Sequence, residues 1–294
     1  MSNPQIFFVQ AHDNTSIRTA KHEPDESPKA VLQVAHGFGE CIEHYNELAG
    51  YFVEEGFAVV IHDQRGHGEM PGLSPKEKQK ARGVTPGFTS LLQDIRTLRR
   101  EVGAMYPGVP VFLLGHSMGG LVAACYMLEV SLEDFDMVIL EAPWFRLYKP
   151  LTRTKMAVVR LVAKLSGKIA VSTNLDTNNI SRVKGKAESL KTDDAYHNRI
   201  SLRLFAEITD AGERAIANAG KITVPTLVLN ACKDKIVSPT AVREFAAAAG
   251  ENTLYIEYED GFHNLHSDII RGKVLEDMVG FFSTYRQTNK GKIF

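Results

Sequence analysis

The sequence predicts an α/β domain in which helices cover a largely parallel β-sheet. Short apolar segments alternate with helix-like segments over most of the 294 residues, a pattern typical of a parallel sheet with crossover helices. The alternation stops only between Trp144 and about Arg203, where Lys, Arg, Asn and Thr predominate. A chain of this length buries a large core without disulfides or metals. We therefore expect one α/β domain that carries a helical insertion.

The predicted elements follow the spacing of the apolar residues. A β-hairpin is expected first, because two strand-like segments flank the turn residues Asp13 and Asn14. The later strands are short apolar runs, and the helices repeat apolar residues every three or four positions. The predicted strands are 5–10, 16–19, 30–35, 58–62, 111–114, 137–140, 226–230 and 254–258, and the predicted helices are 43–55, 88–105, 118–129, 239–249 and 264–285.

The break in the pattern divides the chain into an α/β core, residues 1–143 and 206–294, and a helical cap, residues 144–205. The cap lies near the C-terminal ends of the strands, where open α/β sheets bind ligands. In its clearest helix, 151–169, the spacing of the residues predicts one apolar face and one basic face. Either the apolar face packs on the domain, or the helix also makes transient contact with an anionic or lipid surface. The apolar face comprises Leu151, Val158, Leu161, Val162, Leu165 and Ile169, and the basic face comprises Arg160, Lys164 and Lys168.

Charge and cysteine content exclude some classes of protein. The formal net charge is -1, from 34 basic and 35 acidic residues, which gives no electrostatic footprint for nucleic acid. The three cysteines, Cys41, Cys125 and Cys232, are far apart and odd in number, a pattern typical of a reducing compartment. Neither a signal peptide nor an apolar run of bilayer length is found. We expect a cytoplasmic protein, and the sequence leaves its oligomeric state open.

The strongest chemical signal is the G-x-S-x-G sequence at residues 115–119. It follows the apolar strand 111–114 and opens the helix 118–129, which is the context of a nucleophile elbow. The glycines of such a turn relieve crowding, and the serine hydroxyl stands above the sheet near the positive end of a helix dipole. We therefore predict that Ser117 is the nucleophile of a hydrolase with the α/β-hydrolase fold.

A serine needs a base to remove its proton, and in this fold the acid and then the base follow the serine along the chain. Of the three later histidines, His263 lies in the loop after the last strand, where the fold delivers its base. His197 lies in the insertion, and His266 is expected to be a surface or supporting residue. The pair His263-x-x-His266 has no third ligand at matching spacing, so no metal site is predicted.

The acid is expected in the loop after the strand 226–230. Asp234 stands there and would hold the imidazole in the productive tautomer and stabilise its charged form. Asp260 is a rival, but its place before Gly261 is typical of a turn. Asp210 falls in a helical segment and is interpreted as a solvated charge.

The tetrahedral oxyanion needs backbone N–H donors. One is expected from Met118, the residue after the nucleophile, and the other from Phe38 in the loop 36–40, which reads H-G-F-G-E. The side chain of His36 is interpreted as a hydrogen-bonded structural group. The segment 63–68, D-Q-R-G-H-G, is interpreted as a buried polar network that braces the loops around the serine.

Together these motifs resemble the monoacylglycerol lipase and lysophospholipase branch of the α/β-hydrolases, which includes serine aminopeptidase-like members. The resemblance spans nearly the whole chain. It rests on 36–40, 63–68, 115–120, Asp234 with Ile236 and Val237, His263, and 196–201 at the end of the cap. It implies ester hydrolysis without a cofactor, a cap over an apolar acyl tunnel, Ser117, Asp234 and His263 as the triad, and Phe38 and Met118 as oxyanion donors.

Monoacylglycerols and lysophospholipids are the leading substrates that the resemblance implies. A second interpretation keeps the triad but takes a peptide, a lactone or a thioester, and a third is a non-catalytic relative that binds a small ligand. A long apolar tunnel above Ser117 would favour a lipid. A short pocket rimmed by carboxylates would favour an aminopeptidase.

Overall fold

The computed structural model describes residues 4–288. The strands are β1 (Gln5–Gln10), β2 (Ser16–His22), β3 (Ala30–Ala35), β4 (Phe57–His62), β5 (Val111–His116), β6 (Met137–Glu141), β7 (Ala170–Ser172), β8 (Arg199–Ser201), β9 (Thr226–Ala231) and β10 (Thr253–Tyr258). Eight of them form one sheet in the order β1-β2-β4-β3-β5-β6-β9-β10. The pairings β1–β2 and β2–β4 are antiparallel, and every other pairing in this sheet is parallel. The α/β class and the N-terminal hairpin are confirmed.

Helices cover both faces of the main sheet. They are α1 (Asn46–Glu54), α2 (Pro75–Ala81), α3 (Phe88–Met105), α4 (Met118–Glu129), α5 (Arg153–Leu165), α6 (Lys186–Thr192), α7 (Leu202–Asn218), α8 (Pro239–Ala248) and α9 (Arg271–Thr288). One apolar cluster joins the sheet to α3, α4, α7 and α8, and a second joins it to α1 and α9. The central strands β3, β4, β5, β6 and β9 are buried along their whole length. Their continuous apolar sequences follow from this burial on both faces.

The segment predicted to be a cap, 144–205, contains α5, α6 and a two-stranded antiparallel sheet of β7 and β8. It is therefore not purely helical. Helix α7 begins at Leu202, so the predicted boundary at residue 205 falls inside a helix. The predicted core bounds include residues 1–3 and 289–294, which lie outside the described residues.

The interpretation that the apolar face of 151–169 packs on the domain is wrong. Val158, Leu161 and Leu165 are 61%, 60% and 80% exposed. Helix α5 instead turns Met156 and Ala163 toward the protein, and both are buried. Since these two residues are seven apart, they lie on one face, while the larger apolar residues lie on another. The helix thus has two apolar stripes, of which only one is covered.

Candidate active site

Ser117 stands at a tight bend between β5 and α4. Its φ of 51° lies in the left-handed region that non-glycine residues seldom adopt. A Cβ at Gly115 would lie 2.3 Å from the carbonyl oxygen of Gly119, and a Cβ at Gly119 would lie 2.0 Å from that of Ala35. Only glycine fits at either position, which explains why the G-x-S-x-G spacing belongs to this turn.

His263 and Asp234 lie in line with the serine hydroxyl. His263 Nε2 is 2.9 Å from Ser117 Oγ, and His263 Nδ1 is 2.5 Å from Asp234 Oδ2. A carboxylate only accepts hydrogen bonds, so Nδ1–H donates to it and Nε2 is left to accept the serine proton. The other oxygen of Asp234 accepts the N–H groups of Ile236 and Val237 at 2.7 and 3.0 Å. The structure thus brings the three predicted triad residues together.

The electrostatic environment favours a charged imidazole at His263. Ser117 and His263 are 4% and 5% exposed. Burial alone would lower the pKa of His263, but the negative charges of Asp234, Glu40 and Glu141 outweigh it and raise the pKa. A histidine in this environment gains affinity for a proton, as a general base requires.

The two predicted oxyanion donors are Met118, which follows Ser117, and Phe38, which lines the same cavity as Ser117. Met118 is the first residue of α4, so its N–H has no acceptor within the helix. Phe38 lies in the loop after β3, and within residues 4–288 its N–H donates to no other protein group. The elbow backbone itself is fixed, because Ser117 N–H donates to Glu141 O and Trp144 N–H donates to Ser117 O, both at 2.9 Å.

The rival candidates from the sequence lie elsewhere. His197 Nε2 is 2.8 Å from the Gly66 carbonyl oxygen, and Asp260 is exposed in the turn that Gly261 N–H closes on Tyr258 O. Asp210 is exposed and pairs with Arg160 of α5 at 2.6 Å. His266 is buried rather than on the surface, and it contacts Glu141.

The two polar segments expected to brace the site are buried. His36 Nε2 accepts the Gln64 N–H at 2.8 Å, and burial lowers the pKa of His36 to about 3. In the segment 63–68, Asp63 binds Arg18 at 3.0 Å and Arg65 binds Asp94 at 2.6 Å. These contacts link the loop after β4 to β2 and α3, so they support the structural interpretation.

Two buried carboxylates near the site escaped the sequence reasoning. Glu40 accepts the Gly37 N–H at 2.8 Å and the Asn264 side-chain N–H at 2.6 Å, so it joins the loop 36–40 to the loop of His263. Glu141 has no exposure to solvent. The available signal was the position of Glu141, since a charged residue that ends a buried apolar strand faces the site edge of the sheet.

A cavity of about 720 Å³ lies above Ser117, between the α/β core and the segment 144–205. Its wall is largely apolar and aromatic, with polar groups at residues 172–174 and two lysines. The apolar lining includes Phe38, Trp144, Leu147, Leu175, Ile200 and Phe205, and its carboxylates are Glu40 and Asp176. The cavity is of the size and polarity that ligand pockets commonly have.

Two groups of side chains in the described part of the chain have metal-ligating atoms within 4.8 Å of one another. They are Cys41, His44 and Asp193, and His116, Glu141 and His266. His263 belongs to neither group. In the second group, His266 Nδ1 lies 2.9 Å from Glu141 and His116 Nε2 lies 3.2 Å from Asn264 Oδ1. His116 Nδ1 lies 3.6 Å from Glu141 and makes no hydrogen bond within the described residues.

Comparison with known proteins assigns a family. Residues 26–269 match the family described as serine aminopeptidase, S33. The chain belongs to this family. The monoglyceride lipase of Rattus norvegicus is 29% identical over 252 residues, which are 84% of this chain and 79% of that protein. A phospholipase of Bacillus subtilis is 26% identical over 88% of this chain and 97% of its own length. An uncharacterized abhydrolase domain-containing protein of Dictyostelium discoideum is 28% identical over 88% of this chain, which spans only 26% of that protein.

A solved structure supports the fold. The monoacylglycerol lipase of Paleococcus ferrophilus aligns with a TM-score of 0.81 and 24% identity, over 92% of this chain and 100% of that one. The predicted α/β-hydrolase fold is confirmed. Together, the family and the lipase relatives identify the chain as a carboxylic ester hydrolase, the class that the sequence predicts.

Proposed function

We propose that this hydrolase cleaves lipid-like esters, above all monoacylglycerols, through an acyl-enzyme formed on Ser117. The observation that carries the proposal is the hydrogen-bonded order Asp234, His263, Ser117 at the base of a largely apolar cavity. An acyl chain gains binding free energy when it leaves water for such a wall. The cavity lining offers few carboxylates for the ammonium group of a peptide, which disfavours aminopeptidase activity.

The residues of the site divide the reaction between them. His263 takes the Ser117 proton while the hydroxyl oxygen attacks the ester carbonyl, and the N–H groups of Phe38 and Met118 receive the oxyanion. The imidazolium then protonates the leaving alcohol, which is glycerol for a monoacylglycerol. Water that gives its proton to His263 attacks the acyl-enzyme and releases the fatty acid, while Asp234 keeps the imidazole oriented.

The test replaces the nucleophile. We expect Ser117→Ala to lower kcat by about 10³- to 10⁶-fold and to abolish covalent labelling by a fluorophosphonate probe, while Ser131→Ala serves as the matched control. Near-native esterase activity in Ser117→Ala would overturn the assignment. Monoacylglycerols of graded chain length, assayed beside aminoacyl anilides, lactones and thioesters, identify the substrate class. Absence of turnover and of labelling in the unmutated enzyme would favour a non-catalytic ligand-binding protein.

A second candidate substrate is a lysophospholipid with an anionic headgroup. Lys149 and Lys235 both line the cavity, and the antiparallel bridge between Leu147 and Val237 brings their segments together. Neither lysine pairs with a carboxylate of residues 4–288 within 4.0 Å. Two unpaired ammonium groups at a pocket wall suit a phosphate.

Substituting both lysines tests this candidate. We expect Lys149→Gln with Lys235→Gln to lower kcat/KM for lysophosphatidylglycerol by about tenfold or more. The value for a monoacylglycerol of the same acyl chain should stay nearly constant. Equal loss on both substrates, or none on either, would exclude a headgroup role.

The cap is proposed to touch a lipid surface from which the substrate enters. Exposed apolar residues form a patch at the cavity mouth and along α5, here named the cap patch: Tyr148, Leu151, Val158, Leu161, Leu165, Ile169 and Val171. Tyr148, Leu151 and Val171 also line the cavity. None of the helices between residues 4 and 288 combines the length and hydrophobicity needed to cross a bilayer. The exposed apolar residues of the cap patch support peripheral contact as the mode proposed, and the cytoplasmic location stays a prediction.

A further inference from the structure

Glu141, the last residue of β6, contacts the backbone of the nucleophile and the turn that carries the base. Its carbonyl oxygen accepts the Ser117 N–H at 2.9 Å. Its carboxylate accepts the backbone N–H of His266 at 2.9 Å and, also at 2.9 Å, the His266 Nδ1–H. Parallel pairing sets His116 of β5 opposite Glu141, so this contact lies directly beside the elbow. One residue thus connects the backbone of the elbow to the turn that carries His263.

Two kinds of contact hold the turn of His263, those of Asn264 and those of His266. Asn264 N–H donates to Ile180 O at 2.9 Å, and its side-chain N–H donates to Glu40 at 2.6 Å. His266 follows His263 three residues later in a 3₁₀ turn, Leu265–Ser267. Its ring stacks on Tyr45 with 4.9 Å between the centroids. The ring of His116 lies 4.9 Å from that of His263, which leaves little space for the base to move sideways. The carboxylate of Glu141 is the group that fixes both the backbone and the ring of His266.

The carboxylate is buried without solvent, so its partners decide its charge. Burial would raise the pKa of Glu141, but His266 and His116 outweigh it and lower the pKa. Burial would likewise lower the pKa of His266, and the carboxylates of Glu141 and Glu40 raise it instead. Each member of the pair thus favours the charged form of the other. The titratable groups that face this pair are His116, His263, Glu40, Tyr45, Tyr258 and Lys186.

We propose that Glu141 is a positioning residue for ester hydrolysis, holding the His263 turn in register with the nucleophile elbow through His266. The proposal rests on the proposed roles of Ser117 and His263. It makes Glu141 a positioning group rather than a catalytic residue, because its contacts are to the backbone of Ser117 and to His266, and its carboxylate touches neither the serine hydroxyl nor the His263 ring. Removing its charge should therefore change turnover more than substrate binding.

The test measures kcat, KM and the pH profile of Glu141→Gln, an uncharged variant of the same size. We expect kcat to fall by about tenfold or more, with KM within about twofold. The acidic limb of kcat/KM should move to lower pH, because Glu141 raises the pKa of His263. Glu141→Asp keeps the charge and should keep the position of that limb. Asp94→Asn, which removes a buried carboxylate bound to Arg65, is the control for a purely structural loss.

Several results would overturn the proposal. One is Glu141→Gln with the kcat and pH profile of the unmutated enzyme. Another is a lower melting temperature with unchanged kcat per fluorophosphonate-titrated site. If Glu141→Gln does not fold, His266→Gln gives the same measurement, and unchanged kcat there also rejects the role. Failure of the proposed function is distinguishable, since it would appear in the unmutated enzyme as absence of turnover and of labelling.

Discussion

The cap patch gives a prediction whose size follows from the exposure of two leucines. Leu161 and Leu165 are 60% and 80% exposed on α5. Complete burial of a leucine side chain contributes about 1.5–3 kcal/mol, so inserting the exposed parts of both contributes about 2–4 kcal/mol to membrane binding. That free energy corresponds to a factor of about 30 to 900 in the partition coefficient. Since an interfacial helix is only partly immersed, we expect the lower end, about 30-fold, for Leu161→Gln with Leu165→Gln.

The assay is co-sedimentation with sucrose-loaded vesicles that contain anionic lipid and monoacylglycerol. Glutamine is close to leucine in size and favours helices, so α5 should persist, and hydrolysis of a soluble short-chain ester should change by less than about twofold. Leu254→Gln, half exposed on β10 and absent from the cavity wall, is the matched control. A double variant that sediments like the unmutated enzyme would refute the reasoning from exposed area.

Three further predictions follow from the site and its surroundings. Gly119→Ala places a Cβ 2.0 Å from the Ala35 oxygen, so the elbow must shift, and we expect the fluorophosphonate labelling rate to fall by about 10²-fold; an unchanged rate would contradict the crowding argument. Asp234→Asn should lower kcat/KM by about 10³- to 10⁴-fold. Although burial opposes it, Asp234 raises the pKa of His263. Because the base acts only when neutral, the remaining activity should persist to lower pH, and a limb that moves to higher pH would reject this sign. Stability should also fall in acid, because buried neutral histidines must bind protons when the chain unfolds. Unfolded histidine has a pKa of about 6.5, so this stability is complete above that pH and is lost progressively toward about pH 2. Urea midpoints measured as the pH is lowered check it, and a flat profile would contradict it. Burial lowers the pKa of six such residues: His22, His36 (to about 3), His62 (to about 4), His67 (to about 3), His116 (to about 4) and His197 (to about 2).

The core elements could be predicted where burial alone decides the structure. The predicted bounds 30–35, 88–105 and 118–129 coincide with β3, α3 and α4. Two other helices begin later than predicted. The chain forms 3₁₀ turns at Ile42–Tyr45 and Leu265–Ser267 instead. The N–H groups of Ile42 and His266 there bind the distant carboxylates of Asp63 and Glu141, and no local pattern encodes a partner so far along the chain.

Other elements were missed for different reasons. Strands β7 and β8 have three residues each, too few to show alternation. Helix α2 buries no residue, so it has no apolar periodicity, although its capping box of Ser74 and Glu77 is a signal that the sequence contains. Strands β7 and β8 form because they pair with each other, whereas α2 is stabilised by its local capping box.

The same distinction, between features that sequence and topology predict and features that distant partners create, applies to the candidate site. Ser117, Asp234 and His263 each follow a strand, and a parallel sheet gathers strand ends at one edge, so topology alone brings them near one another. Glu141 obeys the same rule but belongs to no motif, and its partner His266 was expected to be a surface or supporting residue, with no partner predicted for it. The prediction that the apolar face of α5 packs on the domain was wrong for a different reason. Apolar periodicity indicates that a face avoids water, but it does not indicate whether protein or lipid covers that face. Two kinds of feature are therefore the hardest to predict from this sequence. One is a residue that acts through a neighbouring side chain, and the other is a surface that packs against lipid rather than protein.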